Sequence, residues 1–287
     1  MLNKKVILLC GFSRGGTNIV WNLLQSHPKI CSPIYETGTI LHKRDPIRFS
    51  RIVSLLNRAG LLYTWIGRRI VDVQLYRYKL RNRNHPDNRY ISEGVFYNRK
   101  QIAHSTLCLK SVDNDIDHTG LLQNIYPGIS ILLLARNGYA IADGHIRRGK
   151  TAAEAGELYN RIAMKMKSVT ESLVRIKLIR FENALEDPFG ISEELFRFTN
   201  TTPHQLDKLR LKSKKTLDVS DSHYTRYGDE NRKYWFDRST IGNILDPDIN
   251  RTQASRLQPD MIRDFNREAS DAMNYFGYPI LDPEKPV

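Results

Sequence analysis

Five apolar residues, Val6-Ile-Leu-Leu-Cys10, run into a glycine-rich stretch, Gly11-Phe-Ser-Arg-Gly-Gly-Thr-Asn18. That stretch passes directly into a helical pattern carrying Ile19, Val20, Leu23 and Leu24. A short continuous apolar run followed by a turn reads as a strand buried on both faces, the kind found in parallel sheets. STLCLK (105–110) and ISILLLAR (129–136) repeat the signal, and VRIKLIRF (174–181) adds a fourth, alternating run. Helical patterns lie between them. Thr151 and Glu154 form a capping box that opens a helix of about twenty residues. Pro188 takes a first-turn position ahead of Ile191, Leu195, Phe196 and Phe198. The pattern over 260–276 ends at Gly277, as a helix with a glycine stop does. Strands alternating with helices predict an α/β fold of three layers, α/β/α, around a central parallel sheet. At 287 residues the chain is read as one domain, 1–287.

The charge is unevenly placed. Lys and Arg exceed Asp and Glu by 13 over the whole chain, and residues 42–100 hold 14 basic against four acidic residues. In that segment Ile52, Leu55, Leu56, Leu61, Leu62, Trp65, Ile66 and Ile70 recur at helical spacings, with arginines between them. It reads as a basic, mostly helical insertion, with a loop at 81–89. Such a segment is either a solvated outer face or a platform for an anionic acceptor or a membrane surface. No apolar run approaches the roughly 18–20 residues that span a bilayer. The five apolar residues before Gly11 fall short of the roughly 7–15 of a secretory h-region. Cys10, Cys31 and Cys108 are odd in number and form no close pair, which excludes a disulfide framework and points to a reducing compartment. The expected location is cytoplasmic, with a peripheral place at the membrane face as its variant.

The glycine stretch has the G-x-x-x-x-G frame of a phosphate-binding loop. Glycines let backbone N–H groups turn inward around an anion, and the helix N-terminus adds its positive end. A nucleoside triphosphatase places Lys and then Ser/Thr after the second glycine, the latter for magnesium. Thr17 and Asn18 stand there instead, and the loop's cation is Arg14. This pattern favours an anionic donor that needs no metal clamp.

Ser-Arg-Gly-Gly-Thr-Asn, followed by a helix and His27-Pro28, resembles the 5′-phosphosulfate loop of the sulfotransferases that use 3′-phosphoadenosine 5′-phosphosulfate (PAPS). The stretch 129–147 resembles the family's 3′-phosphate motif: Arg136 and Asn137 match, Gly138 replaces a proline, and Gly144 stands where the family has a serine. The stretch 179–200, IRFENALEDPFGISEELFRFTN, is similar to a third family segment, and FGY (276–278) to a C-terminal one. The resemblance implies a P-loop NTPase-like fold and transfer of a sulfuryl group from PAPS to a hydroxyl, less readily an amine, of a glycan, glycolipid or other metabolite. The product would be 3′,5′-ADP, and no metal would be required. It implies that Arg14, Gly15, Gly16, Thr17 and Asn18 cradle the 5′-phosphosulfate. It also implies that Arg136 pairs with the 3′-phosphate, and that Gly144 leaves that grip to Arg136, backbone amides and a neighbour such as His145 or Arg147.

The catalytic residues, Glu36, Lys110 and Arg14, follow from the same likeness. Lys110, after the strand 105–110, resembles the lysine that neutralises the bridging oxygen. The histidine base of the small-molecule enzymes is missing, since Val112 takes its place. Glu36, shortly after His27-Pro28, fits the pattern in which a glutamate is the general base. A carboxylate, ionised at neutral pH, can take the acceptor's hydroxyl proton. A basic loop over 214–236, with Arg226, Arg232 and Lys233 as candidates, would cover the donor. The residues leave two other readings open: a P-loop kinase or nucleotidyl enzyme using ATP and magnesium, and a basic nucleic-acid-binding protein. The second is disfavoured because the charge sits in one insertion without a recognised binding motif, so no nucleic acid is expected. The acceptor is expected to be anionic or membrane-proximal.

Overall fold

All four apolar runs become strands of one sheet. The computed structural model describes residues 1–33, 35–41, 49–81, 98–217 and 223–285. Strand β1 (Val6–Gly11) leads through the glycine loop into α1 (Thr17–Ser26), then to the two-residue β2 (Ile30–Cys31) and the short α2 (Thr37–Leu41). Helices α3 (Phe49–Arg58), α4 (Trp65–Arg81) and α5 (Arg99–His104) precede β3 (Thr106–Val112). The chain continues through α6 (Thr119–Ile125), β4 (Ser130–Ala135), α7 (Gly138–Ile146), α8 (Ala152–Ser172), β5 (Ile176–Arg180), α9 (Phe181–Glu186) and α10 (Pro188–Phe198). Four small strands follow: β6 (Leu209–Lys212), β7 (Lys215–Leu217), β8 (His223–Thr225) and β9 (Lys233–Phe236). Helices α11 (Ile249–Ala254) and α12 (Pro259–Phe276) end the fold.

The main sheet is parallel throughout and ordered β2-β3-β1-β4-β5. Side chains alternate across a strand, and β1 shows the consequence. Val6, Leu8 and Cys10 join the core on the side of α8 and α12, whereas Ile7 and Leu9 join the core under α1, α9 and α10. This is the three-layer α/β/α arrangement that the alternation predicts. After β1 the chain builds β2 and β3 on one side, then β4 and β5 on the other. The loop following Gly11 therefore sits at the carboxyl edge where the order switches, the place at which open α/β sheets bind ligands.

The predicted helix signals act as expected. Thr151 accepts from the Glu154 N–H at 3.1 Å while Glu154 accepts from the Thr151 N–H at 2.7 Å. Gly277 stops α12 at a φ of 70°. Gly138 has a physical reason to be neither proline nor any larger residue: a Cβ there would lie 2.7 Å from the Phe265 ring and 2.6 Å from Met273 Sδ. Phe265 also meets Tyr139 and Tyr159, at ring-centroid distances of 5.0 and 5.9 Å. It thus joins α7, α8 and α12.

The insertion is helical where it is described, and it is docked rather than dangling. Val71, Leu75 and Tyr78 of α4 enter the core. Buried Asp72 accepts from the Asn3 amide N–H at 3.1 Å and the Tyr126 hydroxyl at 2.9 Å. Residues 42–48 and 82–97 of the insertion, including most of the predicted loop at 81–89, lie outside the described residues. Within 214–236, which showed no periodicity, β9 pairs antiparallel with β6 and β7 with β8; residues 218–222 lie outside the described part. The cysteines are free and buried. No described helix is long and apolar enough to cross a membrane.

Phe265→Ala should destabilise the fold by about 3–5 kcal/mol, the usual cost of deleting a fully buried aromatic ring. The midpoint of urea unfolding would check it, and a loss below about 1 kcal/mol would remove Phe265 from this keystone position.

Candidate functional site

The loop is shaped by two left-handed residues, Arg14 at φ 62° and Gly16 at φ 82°. Gly15 donates back to the Phe12 carbonyl at 3.0 Å, which closes the turn. Gly16 caps α1, and its carbonyl accepts from Ile19 and Val20. Among the described residues the N–H groups of Gly16, Thr17 and Asn18 have no hydrogen-bond partner, as expected of a helix start that awaits an acceptor. Absence of a side chain at Gly16 is obligatory: a Cβ would lie 2.2 Å from the Phe181 ring. The Ser13 N–H donates to Asp113 Oδ1 at 2.7 Å, and the Ser13 hydroxyl shares a 3.1 Å hydrogen bond with His145 Nε2.

Two clusters flank this loop. On one side Lys110 rises from β3, whose last residues run two positions beyond the predicted strand end. Its ammonium donates to Asn18 Oδ1 at 2.6 Å, pairs with Glu36 Oε1 at 2.6 Å and lies 4.6 Å from the centroid of the Trp21 ring. Burial lowers its pKa from the ordinary lysine value, and the Glu36 charge opposes that shift. Glu36 is held there by its neighbour. Thr37 Oγ1 donates to the Lys110 carbonyl at 3.2 Å and lies 2.6 Å from Ser111 Oγ, so α2 starts directly against β3. The Glu36 side chain remains 43% exposed. The lysine absent from the loop itself is thus supplied by the adjacent strand, at the first turn of α1.

On the other side lies the arginine cluster. Buried Arg136 donates through Nε to Asn250 Oδ1 at 2.8 Å, and through its two terminal nitrogens to the Arg14 carbonyl at 2.6 Å and Gln253 Oε1 at 2.5 Å. Its plane lies over Phe181, 4.7 Å from the centroid. Burial brings its pKa down to about 10, against the pull of Glu182. Three of the five guanidinium N–H groups are used in these bonds, leaving two. Glu182 ties the same region together, accepting from the Asn137 N–H at 3.1 Å, the Tyr278 hydroxyl at 2.8 Å and the Asn250 amide.

Arg14 and Gly144 meet. A Cβ at Gly144 would lie 3.2 Å from Arg14 Cβ, Cγ and Nε, so the missing side chain makes the bed on which Arg14 lies. Burial lowers the Arg14 pKa, and the nearby Arg148 and Arg147 charges push the same way, with Asp143 opposing them. Asp143 is itself engaged by Arg256 at 3.3 Å. The arginine side chain therefore stands in a field of like charge, beside the serine position of the resembled motif.

The structure accordingly brings Arg14, Gly15, Gly16, Thr17, Asn18, Glu36, Lys110, Arg136 and Gly144 to one sheet edge. The basic residues of 214–236 are placed differently. Arg226 pairs with Asp246 at 3.6 Å, Arg232 with Asp229 at 3.2 Å, and Lys233 is buried. Asn250, Gln253, Asp143, Thr37 and Trp21 were not singled out from the sequence. Glu182 and Tyr278 fall within the segments 179–200 and 276–278, where the resemblance assigns neither a role.

Chains of known structure share this fold. The sulfotransferase domain of the Synechococcus PCC 7002 olefin synthase superposes with a TM-score of 0.50 at 14% identity, covering 96% of each chain. The fold is that of the sulfotransferases. A sulfotransferase domain from the curacin biosynthetic pathway matches with a TM-score of 0.49 at 12% identity, over 96% of this chain and 99% of its own. The sulfotransferase of Alicyclobacillus acidocaldarius gives 0.46 at 15% identity, over 95% and 96%. No protein-family model matches the chain, and no curated protein matches it.

Gly16→Ala tests the loop of this sulfotransferase fold directly. A left-handed conformation costs an L-residue about 1–2 kcal/mol, and the methyl group must also displace the Phe181 ring. The variant should unfold at measurably lower denaturant; unchanged stability would mean that the loop is free to move away.

Proposed function

We propose that this protein transfers a sulfuryl group from PAPS to a hydroxyl of a glycan, glycolipid or other metabolite. The observation that carries the reading is the Lys110 ammonium, held between Asn18 at the loop and the half-exposed Glu36. A buried cation bridging an anion-binding turn and a carboxylate fits a reaction in which a proton leaves one end as negative charge develops at the other.

The donor's shape can be tested against the residues. The N–H groups of Gly16, Thr17 and Asn18 suit the 5′-phosphosulfate, and the side-chain-free approach at Gly16 keeps that turn tight. The two remaining N–H groups of Arg136 and the guanidinium of Arg14 suit the 3′-phosphate, whose charge would relieve the crowding of arginines there. The residues fit the group. When bound, PAPS supplies the sulfuryl group and a phosphate that departs with the bridging oxygen. Lys110 places positive charge where that oxygen gains electrons. Glu36 accepts the acceptor's hydroxyl proton through the oxygen that Lys110 does not hold. Trp21 and the sheet beneath keep Lys110 out of bulk water, which strengthens its field at the reacting centre.

In thermal-shift measurements 3′,5′-ADP should stabilise the protein, by about 2.7 kcal/mol at a hundredfold excess over Kd, and magnesium-ATP should not. The reverse ranking would overturn the reading. Glu36→Gln should retain that nucleotide shift while transfer of radiolabelled sulfate falls about 10²–10⁴-fold, the typical contribution of a general base.

A pH profile isolates Lys110. Because burial lowers its pKa, the ammonium is lost on raising the pH before the ordinary lysine value of 10.5 is reached. Transfer should therefore fall on an alkaline limb below 10.5, and Lys110→Arg should move that limb upward. A limb unmoved by the substitution would assign it to another group.

A further inference from the structure

The corner between α3 and α4 carries large apolar side chains that stand exposed among the described residues. Leu55 is 63% exposed, Trp65 77% and Ile66 55%, and Ile52, Leu61 and Tyr63 are exposed beside them. These are six of the thirteen large apolar residues exposed among the described residues, gathered within fifteen positions of sequence. The corner is well defined. The N–H groups of Leu61 and Leu62 both donate to the Leu56 carbonyl, at 2.8 and 3.1 Å, around Gly60 at φ 67°. Thr64 then caps the start of α4, its hydroxyl accepting from the Gly67 N–H at 3.3 Å. The opposite side is anchored, with Val53, Leu62, Val71 and Leu75 buried. The apolar residues that the core needs are already inside, and the six left out face water.

The charge around the corner says what covers it. From 49 to 71 there is no acidic residue, while Arg51, Arg58, Arg68 and Arg69 supply four positive charges. Arg51 and Arg58 are exposed and make no hydrogen bond or ion pair among the described residues. Arg68 and Arg69 are only half-engaged, through Tyr63 and Asp72. Aromatic and aliphatic side chains ringed by arginines match the boundary of an anionic bilayer, where acyl chains and negatively charged headgroups lie within one side-chain length of each other. A protein partner would have to reproduce both in one acidic, apolar face. We propose that this corner docks the protein on the surface of a membrane containing anionic lipid. Tyr78 of α4 packs edge-on against Tyr35, at 6.5 Å, so the docked helix runs back to the residue next to Glu36.

The test needs neither nucleotide nor acceptor, so its outcome is independent of the proposed activity. The full chain is sedimented with vesicles of phosphatidylcholine alone and of phosphatidylcholine mixed with phosphatidylglycerol. It should pellet with the mixed vesicles, with a blue shift of tryptophan emission that Trp65→Ser removes. Arg51→Ala and Arg58→Ala should each weaken partitioning about fivefold, the share of one basic side chain at an anionic surface. Leu55→Ser combined with Trp65→Ser should abolish it, while melting like the parent because both residues are exposed. Failure to pellet with the mixed vesicles would overturn the proposal, as would undiminished partitioning of the double variant. So would a self-associating chain that Trp65→Ser renders monomeric without any vesicle binding.

Discussion

A guanidinium taken out of water must find acceptors or forfeit its charge, and the organisation of the site follows from how Arg136 meets that demand. It stands immediately after β4, at the carboxyl edge of the sheet, with the Phe181 ring against its face. Its acceptors come from the glycine loop and from α11, so one buried cation fixes the loop, the end of β4 and a helix more than a hundred residues away. The same Phe181 ring fills the space beside Gly16. Loop conformation and arginine position are therefore one constraint: a side chain at Gly16 would push the ring, and the ring would push the guanidinium. Glu182, the next residue along, supplies the carboxylate that keeps this charge in place.

Around that fixed loop, the chain meets an electrostatic requirement by unusual means. A P-loop that carries its lysine on the helix places the cation by local geometry alone. Here Thr17 and Asn18 occupy those positions, and Lys110 reaches the same turn from β3, guided by strand register and by the Asn18 amide. Lys110 lies on the same face of β3 as Cys108, whose side chain joins the core beneath α1. Burial weakens its hold on a proton and Glu36 opposes that shift, so the carboxylate compensates part of the cost of placing the ammonium in a nearly dry position. The ion pair and the Asn18 contact make Glu36 and Lys110 one unit beside the loop.

Much of this was legible in the sequence, for a definite reason. Buried parallel strands need uninterrupted apolar runs, an edge strand an alternating one, and helix ends particular caps, so β1, β3, β4 and β5, the Thr151–Glu154 box and the Gly277 stop could be read locally. The glycine frame and Arg136 could be read too, since each marks a strand's carboxyl end. Pairings could not. Lys110 and Asn18 are 92 positions apart, and Arg136 and Asn250 are 114 apart; no local pattern encodes such contacts. The small strands β6 to β9 escaped for a different reason. They are three or four residues long, too short for alternation to register, and their form depends on pairing with one another.

Gly144 shows how a departure from a motif turns from a loss into an exchange once the fold is known. Read alone, a glycine in a serine's place removes a hydroxyl. In three dimensions it removes the Cβ that would stand 3.2 Å from Arg14, and so admits the stem of an arginine to the place the hydroxyl gave up. A neutral donor is traded for a cation whose pKa is lowered by burial and by Arg148 and Arg147. Burial and two neighbouring arginines thus act against the Arg14 charge, and Asp143 opposes them. Arg14 lies along Gly144, while the lysine beside the loop's first helical turn comes from β3.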